Sequence, residues 1–395
     1  MGTGSGVEHE EGMASGRLGR YKLYLRQRPT MLILLSILVV VLFLAVTGLS
    51  KAYHAQRESL GTRWFTRGVA DLNAQRYEAA VMDFRSALLY SRDEYSYQLN
   101  LAEALIGLKH TGEASAYLLN LWDREPENGL VNLELARIAA QRGDTDQAVR
   151  YYHGAVYAAW PQGEEVKRRN ARLELIDLLL QNKDVSDAQA ELIALAANVG
   201  GEPAQQEAIG NLFVRAGDYQ HALAAYHIAM RADGHNAAVM AGAGYAAFQL
   251  GQYPLAERYL REAVGASSGG ATPDSAHWLQ ITQMVLRMDP FQRGISTAER
   301  NKIVVEGFTA AGERLKNCAL PLTSTPGSGP PVSLSNEWAA MKPQITPAGL
   351  RRDPDLAEKA MDLVFRIERQ TSIVCGTPTG NDLALFLIAK VHEGS

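Results

Sequence analysis

Few side chains in this 395-residue sequence stand at the spacings that chemistry requires. The two cysteines, Cys318 in Lys-Asn-Cys-Ala-Leu-Pro and Cys375 in Ile-Val-Cys-Gly-Thr-Pro, lie too far apart to form a Cys-x-x-Cys redox pair. Two cysteines are also too few for a disulfide scaffold or a zinc-finger array. Gly265-Ala266-Ser267-Ser268-Gly269 matches the Gly-x-Ser-x-Gly nucleophile pattern, but both flanks read as helix. A nucleophile elbow needs a strand running into a helix, so a flexible linker is the expectation here. The nine histidines are scattered; His221 and His227 are six apart, off a common helical face. There is no His-Glu-x-x-His, no glycine loop ending in Gly-Lys-Ser/Thr and no metal-ligand spacing. Asn-x-Ser/Thr sequons are absent as well. The expectation is a protein without catalytic residues, cofactor or metal.

The elements that would position any functional side chain begin with a hydrophobic run. Met31 to Leu49 (MLILLSILVVVLFLAVTGL) carries no charge. At about 1.5 Å per residue it spans about 28 Å, close to the hydrocarbon thickness of a bilayer. Upstream lie Arg17, Arg20, Lys22, Arg26 and Arg28 with no acid between them and the run, whereas Lys51 and Arg57 downstream are offset by Glu58. The positive-inside rule then puts residues 1–30 in the cytosol and everything after residue 50 outside it. A cleaved signal peptide, with Ser50-Lys51-Ala52 as the small-residue site, is the competing reading. Its apolar core is usually 7–15 residues behind a short leader, and both are longer here. A transmembrane helix over 31–50 is therefore expected. The Gly-rich, acidic start (MGTGSGVEHEEG) within residues 1–30 reads as disordered. Gly6 stands where a myristoylation motif needs Ser or Thr.

Net charge is −4 and pI about 6.2, without the basic stripe of a nucleic-acid binder. Alanine, leucine and tyrosine are plentiful and β-branched runs are confined to the apolar segment, so the remainder reads as all-α.

A self-similar pattern governs that remainder: an alanine, a bulky residue four on, and a third residue three after that. It runs Ala80-Phe84-Ala87, Ala114-Leu118-Leu121 and Ala148-Tyr152-Ala155 at a period of 34. After an expansion around Pro161-Gln162-Gly163 it resumes as Ala188-Leu192-Leu195, Ala222-Tyr226-Ala229 and Ala256-Leu260-Ala263. The first unit carries Trp64, Gly68 and Tyr77 as well. The third has Leu135, Ala136 and Gly143; the fifth has Gly210, Gly217 and Tyr219; the sixth has Gly244, Gly251 and Tyr253. The second is weaker but ends in Pro126, and the fourth has Ile176 and Lys183 where small and glycine residues are preferred.

With these residues at this period, the stretch 61–268 resembles the tetratricopeptide-repeat family, in which two antiparallel helices pair in 34 residues. The resemblance implies six units stacked into a helical solenoid, because no unit buries its own apolar face. It also implies a protein-binding concave surface, lined by the first helix of each unit. By position that groove would comprise Phe65, Val69, Leu99, Glu103, Leu133, Arg137, Leu173, Asp177, Asn211, Arg215, Tyr245 and Phe248. The Lys/Asn/Arg set by which chaperone-binding relatives hold a C-terminal carboxylate is not reproduced. An extended or helical peptide with apolar anchors suits the pattern better.

Residues 273–395 complete the chain. Helices are expected over Pro273–Met288, Thr297–Asn317 behind a Ser296-x-x-Glu299 capping box, Asp355–Val374 and Asn381–His392. The first of these reads as a cap on the repeats. Residues 319–349 hold six prolines and read as an extended loop. Cys318 and Cys375 end two of the helices, and outside the cytosol a disulfide across the proline loop is expected.

The leading expectation is a non-enzymatic interaction scaffold or assembly factor. It would be anchored in a bacterial inner membrane with its repeats in the periplasm, and its partners would be membrane or envelope proteins rather than nucleic acid. A repeat adaptor carrying a C-terminal ligand-binding or catalytic helical domain is the alternative, and a purely structural spacer a third.

Overall fold

The structure, a computed structural model, describes residues 11–232, 234–266, 273–319 and 332–393, with side chains from Met31 onward. Among them there is no strand; every named element is a helix. Packing divides the chain into two compact units, Met1–Ala171 and Arg172–Ser395.

The first unit opens with a single long helix, α1 (Glu11–Asn73). The disorder expected of the Gly-rich start falls mostly on residues 1–10, outside the described residues, and the rest of the stretch 1–30 is helical from Glu11 onward. Once a helix is nucleated by a strong apolar segment, propagating it outward costs little per residue. The large apolar residues from Met31 to Leu49 are all more than half exposed, and this helix is the one long and apolar enough to cross a membrane among the described residues. The same helix then becomes the first helix of the repeats. It pairs with α2 (Tyr77–Tyr90), and α3 (Tyr95–Gly107) with α4 (Thr111–Arg124), then α5 (Gly129–Gln141) with α6 (Thr145–Tyr157). Their core is the alanine pattern itself: Ala80, Phe84, Ala87, Ala114, Leu118, Leu121, Ala148 and Ala155 are fully buried. Gly68 is small because the Phe84 ring lies where a Cβ would sit, 2.7 Å away.

The expansion after α6 is filled by Trp160. Its ring occupies the space that a side chain at Gly129 would need, and its indole N–H donates to the Ala155 carbonyl at 2.7 Å. The unit boundary falls within α7 (Glu165–Gln181).

In the second unit α7 continues into α8 (Val185–Ala196), followed by α9 (Pro203–Arg215) with α10 (Tyr219–Ala232) and α11 (Ala237–Gln249) with α12 (Tyr253–Gly265). Then come α13 (Pro273–Met288), α14 (Thr297–Ala319), α15 (Val332–Met341), α16 (Pro347–Arg352), α17 (Asp355–Val374) and α18 (Gly380–Glu393). One continuous apolar core runs from Ile176 through Tyr226, Leu260 and Val285 to Phe308, Val364 and Ala389. The C-terminal helices are thus built onto the last repeats rather than set apart from them. Tyr253 donates to the Leu387 carbonyl of α18, and Val391 packs against Gly251.

One sequence expectation needs correction here. The stretch 319–349 is not simply extended: α15 and the start of α16 fall inside it, while residues 320–331 lie outside the described residues. Trp338 stacks on Phe308 at 5.6 Å, gives its N–H to the Phe308 carbonyl at 2.8 Å and fills the space above Gly312. Pro347 opens α16 instead of breaking it, since the first turn of a helix needs no N–H from that position. In the Gly-x-Ser-x-Gly stretch, Gly265 ends α12 and Ser267 to Gly269 lie outside the described residues.

Each turn between paired helices is closed by a residue in the left-handed conformation. Gly143, Gly217 and Gly251 supply it with φ of 76°, 69° and 72°. Gln75, Lys109 and Lys183 supply it with φ of 58°, 62° and 66°, where L side chains are disfavoured. Geometry therefore holds the turn constant across all six positions even where the residue type changes.

Candidate binding groove

The residues that position points to divide by unit. In the first, Phe65 stacks on Tyr97 at 4.8 Å and contacts Phe84, while Val69 and Leu99 pack half-buried against the core. Leu133 is only 2% exposed and so offers no surface; in the second unit Phe248, at 5%, belongs to the core. Phe248 packs against Tyr253 of α12 and Trp278 of α13, which is how an apolar residue on a stacked helix is most often consumed.

What remains of this inner face is more charged than the sequence pattern suggests. Glu103 is half-buried with Glu134 and Glu164 nearby and Lys167 opposing them. Burial first, then Glu134, pushes its carboxyl above the usual range. Arg137 pairs with Glu134 at 2.7 Å. A cavity of about 350 Å³ opens beside them, walled by Leu99, Leu130, Trp160 and Pro161 with Glu164 and Lys167 at its edge.

In the second unit Asp177 and Arg215 pair with each other at 2.8 Å, and both are about half exposed. Leu173 packs half-buried against the core. Asn211 and Tyr245 line a trough of about 600 Å³, formed by the first helices α9, α11 and α13. Asn211 Oδ1 accepts from the Tyr226 hydroxyl at 2.6 Å. The Tyr226 ring fills the space between Gly210 and Gly242, which is why both positions are glycine. Burial and the nearby Glu207 raise the phenol pKa well above its ordinary value, so it stays a donor. The floor is small, made by Ala238, Ala241 and Gly242 of α11. One wall carries Tyr245 and Trp278 with centroids 5.0 Å apart, backed by Phe248 and Tyr219. The rims carry Glu207 of α9 and Asp274, Ser275 and His277 of α13.

Glu207, Asp274 and Trp278 are missing from the residues that position selects, although a signal for them exists. Glu207 and Ala241 lie one helical turn before Asn211 and Tyr245, and Ser275 continues their row at the same period of 34. α13 therefore stands where the first helix of a seventh unit would.

Elsewhere in the unit, Cys318 and Cys375 bring their sulfurs together with Cα atoms 5.7 Å apart, within the range of bridged pairs. Beside them Arg314 donates to the Thr371 hydroxyl at 2.8 Å and the Gly376 carbonyl at 2.8 Å, and lies 3.3 Å from the wholly buried Glu368 and 3.7 Å from Asp382. No group of three or more possible metal ligands occurs among the described residues.

Helical hairpins at a period of 34, closed by left-handed turns around an alanine and aromatic core, define a repeat protein. Residues 106–271 are tetratricopeptide repeats: the family's sequence profile, described as "Tetratricopeptide repeat", matches residues 106–164, 133–206 and 207–271. No curated protein sequence matches the chain. Among solved structures it is similar to Pseudomonas aeruginosa pilF, with 15% identity, a TM-score of 0.38, and 58% of this chain and 98% of that one covered. It is also similar to YrrB, described as a TPR protein with an unusual peptide-binding site, with 14% identity, a TM-score of 0.39 and coverages of 51% and 97%. A third is PilW, described as a type IV pilus biogenesis factor, with 16% identity, a TM-score of 0.37 and coverages of 56% and 98%. At these scores none of the likenesses carries an argument about what this chain binds.

Proposed function

We propose that the chain is a membrane-anchored, non-catalytic interaction scaffold that captures extended polypeptide on the inner face of its repeats. In this reading residues 31–50 span a bilayer and residues 1–30 lie in the cytosol. Six repeats over 61–268 and the helices of 273–395 face the other side, the periplasm of a bacterial inner membrane. The Cys318–Cys375 pair is oxidised there. The observation that carries the reading is the trough on α9, α11 and α13. Three first helices align rows of residues 34 apart around a floor of Ala238, Ala241 and Gly242, low enough for a peptide backbone to lie along it. The Met31–Leu49 surface supports the anchor: an apolar belt this exposed in water would cost far more than the same belt in lipid.

In-cell photocrosslinking tests the reading. A benzophenone amino acid replacing Tyr245 is expected to trap a discrete partner band in membranes, identified by mass spectrometry, while the same group replacing Met82 on exposed α2 surface traps none. Equal labelling from both positions, or none from Tyr245, overturns it.

A further inference from the structure

The trough on α9, α11 and α13 has a chemistry more specific than an apolar groove, and this inference rests on the peptide-binding reading above. Its two charged rims are both carboxylates, Glu207 and Asp274, on opposite flanking helices. Neither pairs with a Lys or Arg among the described residues, and no Lys or Arg lines the cavity. Glu207 has only the neutral amide of Asn236, at 3.4 Å. Between the rims stand two electron-rich rings, Tyr245 and Trp278, tilted 57° to one another. Other charged groove residues in this unit are already satisfied, as Asp177 and Arg215 are by each other.

Carboxylates flanking half-buried aromatic faces complement one kind of side chain. A guanidinium or ammonium placed over a Trp or Tyr face gains the ring's electrostatic attraction. Its N–H groups also reach carboxylates that have no cation of their own. Arginine suits the pair best, because its planar head stacks on a ring and presents several donors at once. An acidic peptide side chain would meet like charge from both flanks, and a purely apolar one would leave both carboxylates without a cationic partner. We infer that this trough selects a cationic side chain, arginine before lysine, within the extended peptide it binds.

The test uses the full chain in nanodiscs to select from a displayed dodecapeptide library. Wild-type protein is expected to enrich peptides with an Arg or Lys at a recurrent position. The Glu207→Gln/Asp274→Asn protein is expected to lose that enrichment while its thermal melt is unchanged, since both replacements keep side-chain shape. For a selected peptide, replacing the recurrent arginine by citrulline removes charge and keeps size. Affinity by fluorescence anisotropy is expected to fall at least tenfold for wild type and less than twofold for the double variant. Trp278→Leu is expected to weaken the arginine peptide tenfold and to bring the two peptides closer in affinity. Glu78→Gln, on the exposed surface of α2, is expected to change neither. Enriched peptides without a cationic position, or a citrulline effect that persists in the double variant, overturn the inference and leave peptide capture standing. A selection that yields no binder overturns both.

Discussion

At the scale of single residues, Lys183 states the rule of the repeat turns by breaking it. It holds φ of 66° at the position where Gly217 and Gly251 sit one and two periods later. A left-handed conformation costs an L residue roughly 1 kcal/mol relative to glycine. Lys183→Gly is therefore expected to stabilise the second unit by up to about 1 kcal/mol, less the entropy glycine regains when unfolded. Gly217→Ala is expected to lose a similar amount, and urea denaturation of the two variants measures both. The wholly buried Glu368 makes a second residue-level case. Burial first, and Asp382 second, raise its carboxyl to about 8 against the opposing pull of Arg314. Unfolded, the group titrates near 4.5, so between that value and about 8 the folded state holds the extra proton. Stability then falls as pH rises through this window, the reverse of a salt-bridged carboxylate. Glu368→Gln, which stays neutral, is expected to melt several degrees higher than wild type at pH 8 and close to it at pH 5. A parallel pH dependence in both proteins would show that Glu368 is not the group responsible. The alanine rows and turn glycines were legible in sequence because each is forced by close approach. The Glu368 cluster was not, since its members come from α14, α17 and α18, far apart in the chain.

At the scale of elements, legibility follows how local the cause is. Helices set by periodicity and caps, such as α13 and α17, fall where their sequences place them, and Ser296 accepts from the Glu299 N–H at 3.1 Å as a capping box requires. α15 was hidden because what holds it is tertiary: Trp338 against Phe308 and Gly312, with Arg366 of α17 pairing with Glu337 at 2.6 Å. Trp160 was hidden for the same reason, since its place depends on the missing side chain at Gly129. In the groove, the position rule selected Leu133 and Phe248, which the core absorbs, and passed over Glu207, Asp274 and Trp278, which it leaves accessible. Spacing identifies the face of a helix but not how much of that face the next helix covers. One element-level prediction concerns the clamp between α14 and α17. Replacing Cys318 and Cys375 by serine is expected to destabilise the second unit by up to about 4 kcal/mol in the chain-entropy estimate for a loop of this length. The measurement is denaturation of oxidised, reduced and doubly substituted protein. Reduced wild type should match the serine variant, and a substituted protein as stable as the oxidised one would remove the bridge from the proposal.

At the scale of the whole chain, the decisive feature is that α1 is one helix from the apolar belt to the first repeat. A flexible linker would let a tethered domain sample a volume, whereas a continuous helix carries orientation as well as position. Tethering raises the effective concentration of membrane partners without any new contact, so each binding site can be individually weak. This suits a trough whose specificity rests on one cationic side chain and a low floor. The anchor must be permanent for that logic to hold, and this is the expectation to be checked. The full chain is expected to remain in the membrane pellet after extraction at alkaline pH and to enter solution only with detergent. A single cysteine placed at Ser59 in a Cys318→Ser/Cys375→Ser background is expected to react with an impermeant maleimide in intact cells. Release at alkaline pH would mean the apolar segment is removed or peripheral, and the repeats would then act in solution. Retention with an unreactive Ser59→Cys would reverse the orientation and place Cys318 and Cys375 in a reducing compartment. The bridge, the periplasmic setting and the class of available partners would then all have to be abandoned together. These three conclusions hang on one helix, and its topology constrains the biology more than any single groove residue does.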